Sequence, residues 1–275
     1  MNFNLFKIAS HTVCPKHRSN KTFAFTLAEV LITLGIIGII ANMTIPTLIA
    51  SYQKQVYVTQ LKKAYSEFQT GIQLYMTNQG CSDLPCTGIF NDWGSGFWAS
   101  NIDGAMSSSF KIIKKCLPGD NSCGKNIKYL GATPNSDSGF QGASDYVFLT
   151  ADNFLFQIND GRSENCGYYS TTITSSKLKN ACAGVLIDVN GNSMPNRFGR
   201  DVFFFTLSEN GYLFPDYGSD YAKAYNDIED FSTSAFYWQK QNGYCGTTNS
   251  SALVGSATGY GCAARIVEEG WEMNY

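Results

Sequence analysis

Residues 25–50 read FTLAEVLITLGIIGIIANMTIPTLIA, a run whose single charge is Glu29. A helix of roughly 20 apolar residues crosses a bilayer core, so this run is long enough to span one. Upstream lie Lys7, Lys16, Arg18, Lys21, His11 and His17, with no acidic residue before Glu29. Downstream only Lys54 stands close behind the run, a bias that places the N-terminus on the cytoplasmic side. A secretory signal has a shorter apolar core, of about 7–15 residues, with a small-residue cut after it. A simple membrane anchor has the length but no use for Glu29. A carboxylate in such a helix costs up to about 2.5–3.5 kcal/mol toward the bilayer centre, so this one calls for a partner.

The segment KTFAFTLAEVLITLG, residues 21–35, resembles the cleavage and methylation segment of type IV prepilins and type II secretion pseudopilins. The resemblance implies a leader over residues 1–24, a peptidase cut between Ala24 and Phe25, and N-methylation of the new terminus at Phe25. The family usually carries Gly before the cut, where this chain has Ala24. Glu29 falls at the fifth position after the cut, where the family's glutamate meets the amino terminus of a neighbouring subunit and sets register. Two opposite charges in a dry filament core offset each other's desolvation, which gives that pairing a physical reason. Pro46 falls where many pilins carry a helix-kinking proline. The implied partners are a prepilin peptidase, other pilin or pseudopilin subunits, an inner-membrane assembly machinery and the membrane itself. The implied location is a single pass of a bacterial inner membrane with an extracytoplasmic head, then a periplasmic or cell-surface filament. Loss of residues 1–24 would remove four cations, taking the net charge from −2 to −6, and would leave no histidine.

Beyond Pro46 the pattern becomes amphipathic. Val58, Leu61, Tyr65, Phe68, Ile72 and Tyr75 recur at alternating spacings of three and four, the signature of one apolar helix stripe. Gly80 follows as a stop signal. One helix over residues 25–78 is expected, roughly 80 Å long at 1.5 Å per residue. Its first part (25–50) has no apolar neighbour of its own, and its second (51–80) continues into a head over residues 81–275.

In the head, a short helical piece is expected over 110–116. Apolar runs around Asp152-Asn153 read as a hairpin, and residues 185–189 as a strand. A second hairpin joins 203–207 to 212–214 through Asn210-Gly211, and residues 270–275 read as a last strand. A long helix followed by antiparallel strands gives an α+β class, the pilin-like architecture. Of nine cysteines, Cys14 lies in the leader and eight remain. An even set among polar loops suits disulfides in an oxidising compartment. Proximity suggests Cys81–Cys86, Cys116–Cys123, Cys166–Cys182 and Cys245–Cys262, among 105 arrangements. Zinc is disfavoured, because no Cys-x-x-Cys pair occurs.

The stretch from Asp188 to Asp201 carries a candidate cation site. Asp188, Asn190, Asn192 and Asp201 are oxygen ligands of the kind calcium takes, six to eight at a time. The competing reading is that Asn and Gly here simply build turns. Charged residues are only 15% and net charge is −2, so no basic field argues for nucleic acid. Without a histidine after the leader, no Ser–His or Cys–His nucleophile can be assembled, and no enzyme is expected. Paired carboxylates such as Asp216 with Asp220, or Asp227 with Asp230, read as solvated surface. The aromatics from Tyr217 to Tyr244 read as core or subunit contact. The expected function is therefore a filament subunit. The alternative is an uncleaved membrane-anchored binding or adhesion protein.

Overall fold

The computed structural model describes residues 26–91, 98–116, 123, 127–128, 130, 145–159, 166, 181–191, 193–215, 245 and 259–275. The expected leader with Ala24 and Phe25, Asn192, the paired carboxylates at 216–230 and the aromatics at 217–244 lie outside the described residues. The chain divides into two compact units, Met1–Ile49 and Ala50–Tyr275.

Helix α1 (Leu27–Gln79) is the longest element, and Pro46 sits inside it. Proline supplies no N–H to the carbonyl four residues back, yet the helical assignment runs through it. The end of α1 follows from Gly80, which adopts φ 68°, a conformation glycine enters without steric penalty. Gly80 N donates to Thr77 O and Cys81 N to Met76 O, both at 3.0 Å, closing the last turn.

In the second unit the helix buries Val58, Leu61, Ala64, Phe68, Gly71, Ile72 and Met76. Tyr65 and Tyr75 of the expected stripe are only partly buried, flanking the core. Gly71 belongs to the face because a Cβ there would lie 2.3 Å from the tip of the Phe110 ring. Short helices α2 (Leu84–Thr87) and α3 (Trp98–Ser109) follow.

The sheet contains β1 (Ile112–Cys116), β2 (Tyr146–Thr150), β3 (Leu155–Asn159), β4 (Ala181–Asp188), β5 (Val202–Ser208) and β6 (Leu213–Pro215), in that spatial order. Every pairing is antiparallel. The Asp152-Asn153 turn joins β2 to β3, and Asn153 takes φ 65° there. The Asn210-Gly211 turn joins β5 to β6, with Ser208 N donating to Tyr212 O at 2.9 Å. A final helix, α4, spans Cys262–Glu268.

Both sheet faces are covered. Phe148, Phe156, Ile187, Phe203 and Phe205 point toward α1 and share its core. Alternate residues Leu186, Val202 and Phe204 form a second cluster with Phe198, and Val147 and Leu155 a third with Cys116 and Cys123. Two-sided burial is why these strands read as continuous apolar runs rather than clean alternation. The disulfides join Cys81–Cys86, Cys116–Cys123, Cys166–Cys182 and Cys245–Cys262, each Cys to its neighbour in sequence.

Two expectations fail. Residues 110–116 hold no helix: α3 ends at Ser109 and residues 112–116 form β1, where Ile-Ile-Lys-Lys suits an edge strand bent by a register shift after Ile112. Residues 270–275 form no strand. Trp271 turns to φ 66° just after α4, and the Tyr275 hydroxyl donates to Gly199 O at 2.8 Å instead. The middle strand also starts earlier than expected, at Ala181 rather than 185, and ends at Asp188.

Candidate functional site

Three regions carry the sequence candidates. The first is the start of α1. Within the apolar window of this helix no residue is buried inside the chain. The exposed large side chains run from Leu27, at 78% of its free surface, through Leu31, Ile37 and Met43 to Ile49 at 50%. The helix is long and apolar enough to cross a membrane. Three threonines are satisfied locally: Thr33, Thr44 and Thr47 each donate to a carbonyl three or four residues back, at 2.9–3.0 Å. A hydroxyl returned to its own backbone needs no water, which an apolar surrounding would withhold.

Glu29 has a partner inside the chain. Its Oε2 accepts from Thr26 N at 2.8 Å and from Thr26 Oγ1 at 2.9 Å, and Glu29 N donates back to Thr26 Oγ1 at 3.2 Å. This is a reciprocal capping box, which satisfies amide groups that the first turn of any helix leaves unpaired. The Thr-x-x-Glu spacing at 26–29 is its sequence signal, and the reading of residues 25–50 by hydropathy alone passed over it.

The second region is the loop from Asp188 to Asp201. Asp201 is fully buried, and three N–H groups converge on its carboxylate. Arg197 N donates to Oδ1 at 2.7 Å; Asn196 N and Asn190 Nδ2 donate to Oδ2 at 2.8 and 3.1 Å. Burial pushes this carboxyl above its usual range, opposed by those donors. Asp188 Oδ1 accepts from Asn190 N at 3.1 Å. With its amide turned to face acceptors, Asn196 donates to Ser193 O at 2.8 Å and Asp188 Oδ2 at 3.2 Å. Gly191, at φ 65°, lets Asn153 approach: an added Cβ would meet Asn153 Oδ1 at 2.9 Å. Asn153 Nδ2 then donates to Asn190 O at 3.0 Å, tying the loop to the β2–β3 turn.

The fit to calcium is poor among the described residues. The Asp201 oxygens already face N–H groups where a cation would stand, and Asn190 Oδ1 is the buried side-chain oxygen left without a donor. Calcium takes six to eight oxygens. No group of three His, Cys, Asp or Glu suited to a metal occurs among the described residues. The arrangement does what turn-building side chains do, closing a backbone loop through buried acceptors.

The third region is where α1 meets the sheet edge. The Tyr65 hydroxyl donates to Leu213 O at 3.0 Å, and Gln69 bridges Gly211 O at 2.6 Å and Leu213 N at 2.9 Å. Gln73 Nε2 reaches Asn210 O at 3.1 Å. Backbone groups that an edge strand would offer to another chain are thus met by the helix. These polar contacts lie between positions some 140 residues apart, and no local pattern announces them.

No protein-family model, curated protein or solved structure matches the chain.

Proposed function

We propose that the protein is a structural subunit of a filament of the type IV pilus or type II pseudopilus kind, held in a membrane by residues 27–49 and then packed by them against other subunits. The observation that carries this reading is the apolar surface of α1, exposed on every side with its threonines turned inward. Full burial of a Leu or Ile side chain contributes about 1.5–3 kcal/mol, so a band of this length strongly favours lipid or neighbouring helices over water. The second unit supplies its own core and covers its β6 edge with α1, as a head displayed on such a helix requires. Its fold of one helix on an antiparallel sheet is compatible with a pilin-like head. A structural role also accords with the lack of histidine after residue 17.

In this reading Ala24–Phe25 is the cleavage point, Phe25 is methylated, and Glu29 pairs with the amino terminus of a neighbour. Glu29 uses Oε2 in the capping box, which leaves Oε1 to accept from a second group. The test is Glu29→Val, with membrane fractionation beside electron microscopy of sheared filaments. The variant is expected to stay in the membrane and to lose filaments. Normal filament numbers would remove Glu29 from assembly.

The capping box itself favours a second reading. Because Thr26 already engages one carboxylate oxygen of Glu29, the chain can also serve as an uncleaved anchor whose head binds or adheres. The mature mass separates the two.

A further inference from the structure

A groove of about 510 Å³ opens beside the second unit's part of α1, between residues 51–62 and the C-terminal tail at 271–274. Val58 and Met273 form its apolar floor, and Lys54, Lys62, Trp271 and Glu272 its walls. Nothing in the expected function uses it, and its two sides lie about 200 residues apart in sequence.

The chemistry of the walls is specific. Among the described residues neither Lys54 nor Lys62 lies within ion-pair distance of a carboxylate. Lys62 Nζ instead sits over the Trp271 ring, 5.6 Å from its centroid, while Tyr65 meets the same ring from the edge at 5.7 Å. Trp271 is held at φ 66°, a left-handed conformation that bulky side chains rarely adopt. The tight end of α4 enforces it, with Trp271 N donating to Ile266 O at 2.7 Å. On the tail, Glu272 is exposed, and Asn274 Nδ2 donates to its Oε2 at 3.3 Å. The groove therefore offers cationic groups on the helix side, a carboxylate on the tail side, and an indole ring.

We infer that this groove binds the headgroup of a membrane phospholipid that carries both a phosphate and a primary ammonium, phosphoethanolamine in type. Lys54 meets the phosphate, Glu272 meets the ammonium, and the Val58–Met273 floor receives the glycerol and the first methylenes. Lys54 stands five residues beyond Ile49 in sequence, close behind the apolar run. Lysine and tyrosine next to such a run are side chains that membrane interfaces favour, and Tyr52 is 66% exposed. The inference rests on the reading that residues 27–49 lie in a bilayer. It adds that the head holds a lipid until the chain is drawn out of the membrane.

The test uses the full chain in nanodiscs of phosphatidylethanolamine or phosphatidylglycerol mixed into phosphatidylcholine. Lipid retained after release into mild detergent is counted by native mass spectrometry. One phosphatidylethanolamine is expected to be retained, about fivefold over phosphatidylglycerol, a ratio in keeping with one favourable surface charge pair. Lys54→Ala is expected to lower retention of both lipids, and Lys54→Arg to keep it. Glu272→Gln is expected to abolish the preference between them. Lys54 is half-buried and Glu272 exposed, and an unchanged circular dichroism spectrum shows that the variants fold. Equal retention of the two lipids, a preference for phosphatidylglycerol, or indifference to both substitutions overturns the inference. Carbonate extraction of the same nanodisc lipids as vesicles separates the underlying reading: a chain that resists extraction but retains no lipid refutes the groove alone. A chain released by carbonate refutes the membrane reading itself.

Discussion

Gly71→Ala separates two opposed expectations by sign. Helix propensity alone predicts stabilisation, since Ala is favoured over Gly in a helix interior by about 0.8–1.0 kcal/mol. The structure predicts the reverse. An added Cβ would lie 2.3 Å from the tip of the Phe110 ring and 2.7 Å from its two neighbouring carbons, well inside contact distance. Phe110 has little room to withdraw. It is 8% exposed and wedged among Phe148, Phe68 and Phe156, with ring centroids at 5.3, 5.6 and 6.0 Å. Overpacking of such a core costs about 1–3 kcal/mol, which outweighs the propensity gain and leaves a net loss of up to about 2 kcal/mol. For a chain of this size that lowers Tm by up to roughly 8 °C. The assay is thermal unfolding of the full chain in detergent, with disulfides intact, followed by circular dichroism. The control is the same substitution in Phe110→Ala, where the ring is gone and Gly71→Ala is expected to raise Tm. A rise in the parent background, or an equal loss in both, would refute the packing argument.

Further outcomes rest on particular contacts. Gln69→Ala strands Leu213 N at the β6 edge, leaves Gly211 O only the longer bond from Gln73 Nε2 at 3.3 Å, and is expected to lower stability by about 1–3 kcal/mol, read from denaturant midpoints. Glu67 is half-buried; burial first, then Asp152, hold its carboxyl above the usual range against the pull of Lys63. Its protonated form therefore contributes stability that is complete below the ordinary glutamate range and lost as pH rises through the raised value, so Glu67→Gln should flatten that part of Tm against pH. A profile unchanged by the substitution would show that Glu67 does not titrate in this way. Asp201→Ala removes the acceptor of three N–H groups and should destabilise by about 3 kcal/mol or more. Treatment with EDTA should leave the parent Tm unchanged, and a fall reversed by calcium would place a cation in the loop.

What the sequence revealed tracks how local each signal is. The α1 stripe was legible because one helix face repeats every three to four residues, although Ala64, Gly71 and Met76 widen it beyond the large side chains. Both hairpins were legible from Asp152-Asn153 and Asn210-Gly211, turn pairs that tolerate the required backbone. The start of β4 was not, because Ala181, Cys182, Ala183 and Gly184 lack the β-branched and aromatic residues that mark a strand. At 110–116 a run of apolar and lysine residues suits a helix by local propensity, and pairing with β2 overrides it. The tail after α4 was read as a strand from its alternation, yet Gly270 and Trp271 both take left-handed backbone. The Gln69 bridge, the Asp201 clasp and the groove at Trp271 depend on residues brought together from distant positions, which no single-window pattern carries.

The central claim is that residues 27–49 serve as a filament core after cleavage before Phe25. The most direct measurement is the intact mass and N-terminal sequence of the protein recovered from sheared filaments and from membranes. The account predicts a chain in the filament fraction that begins at N-methylated Phe25. A chain that begins at Met1 and is found only in the membrane would contradict it.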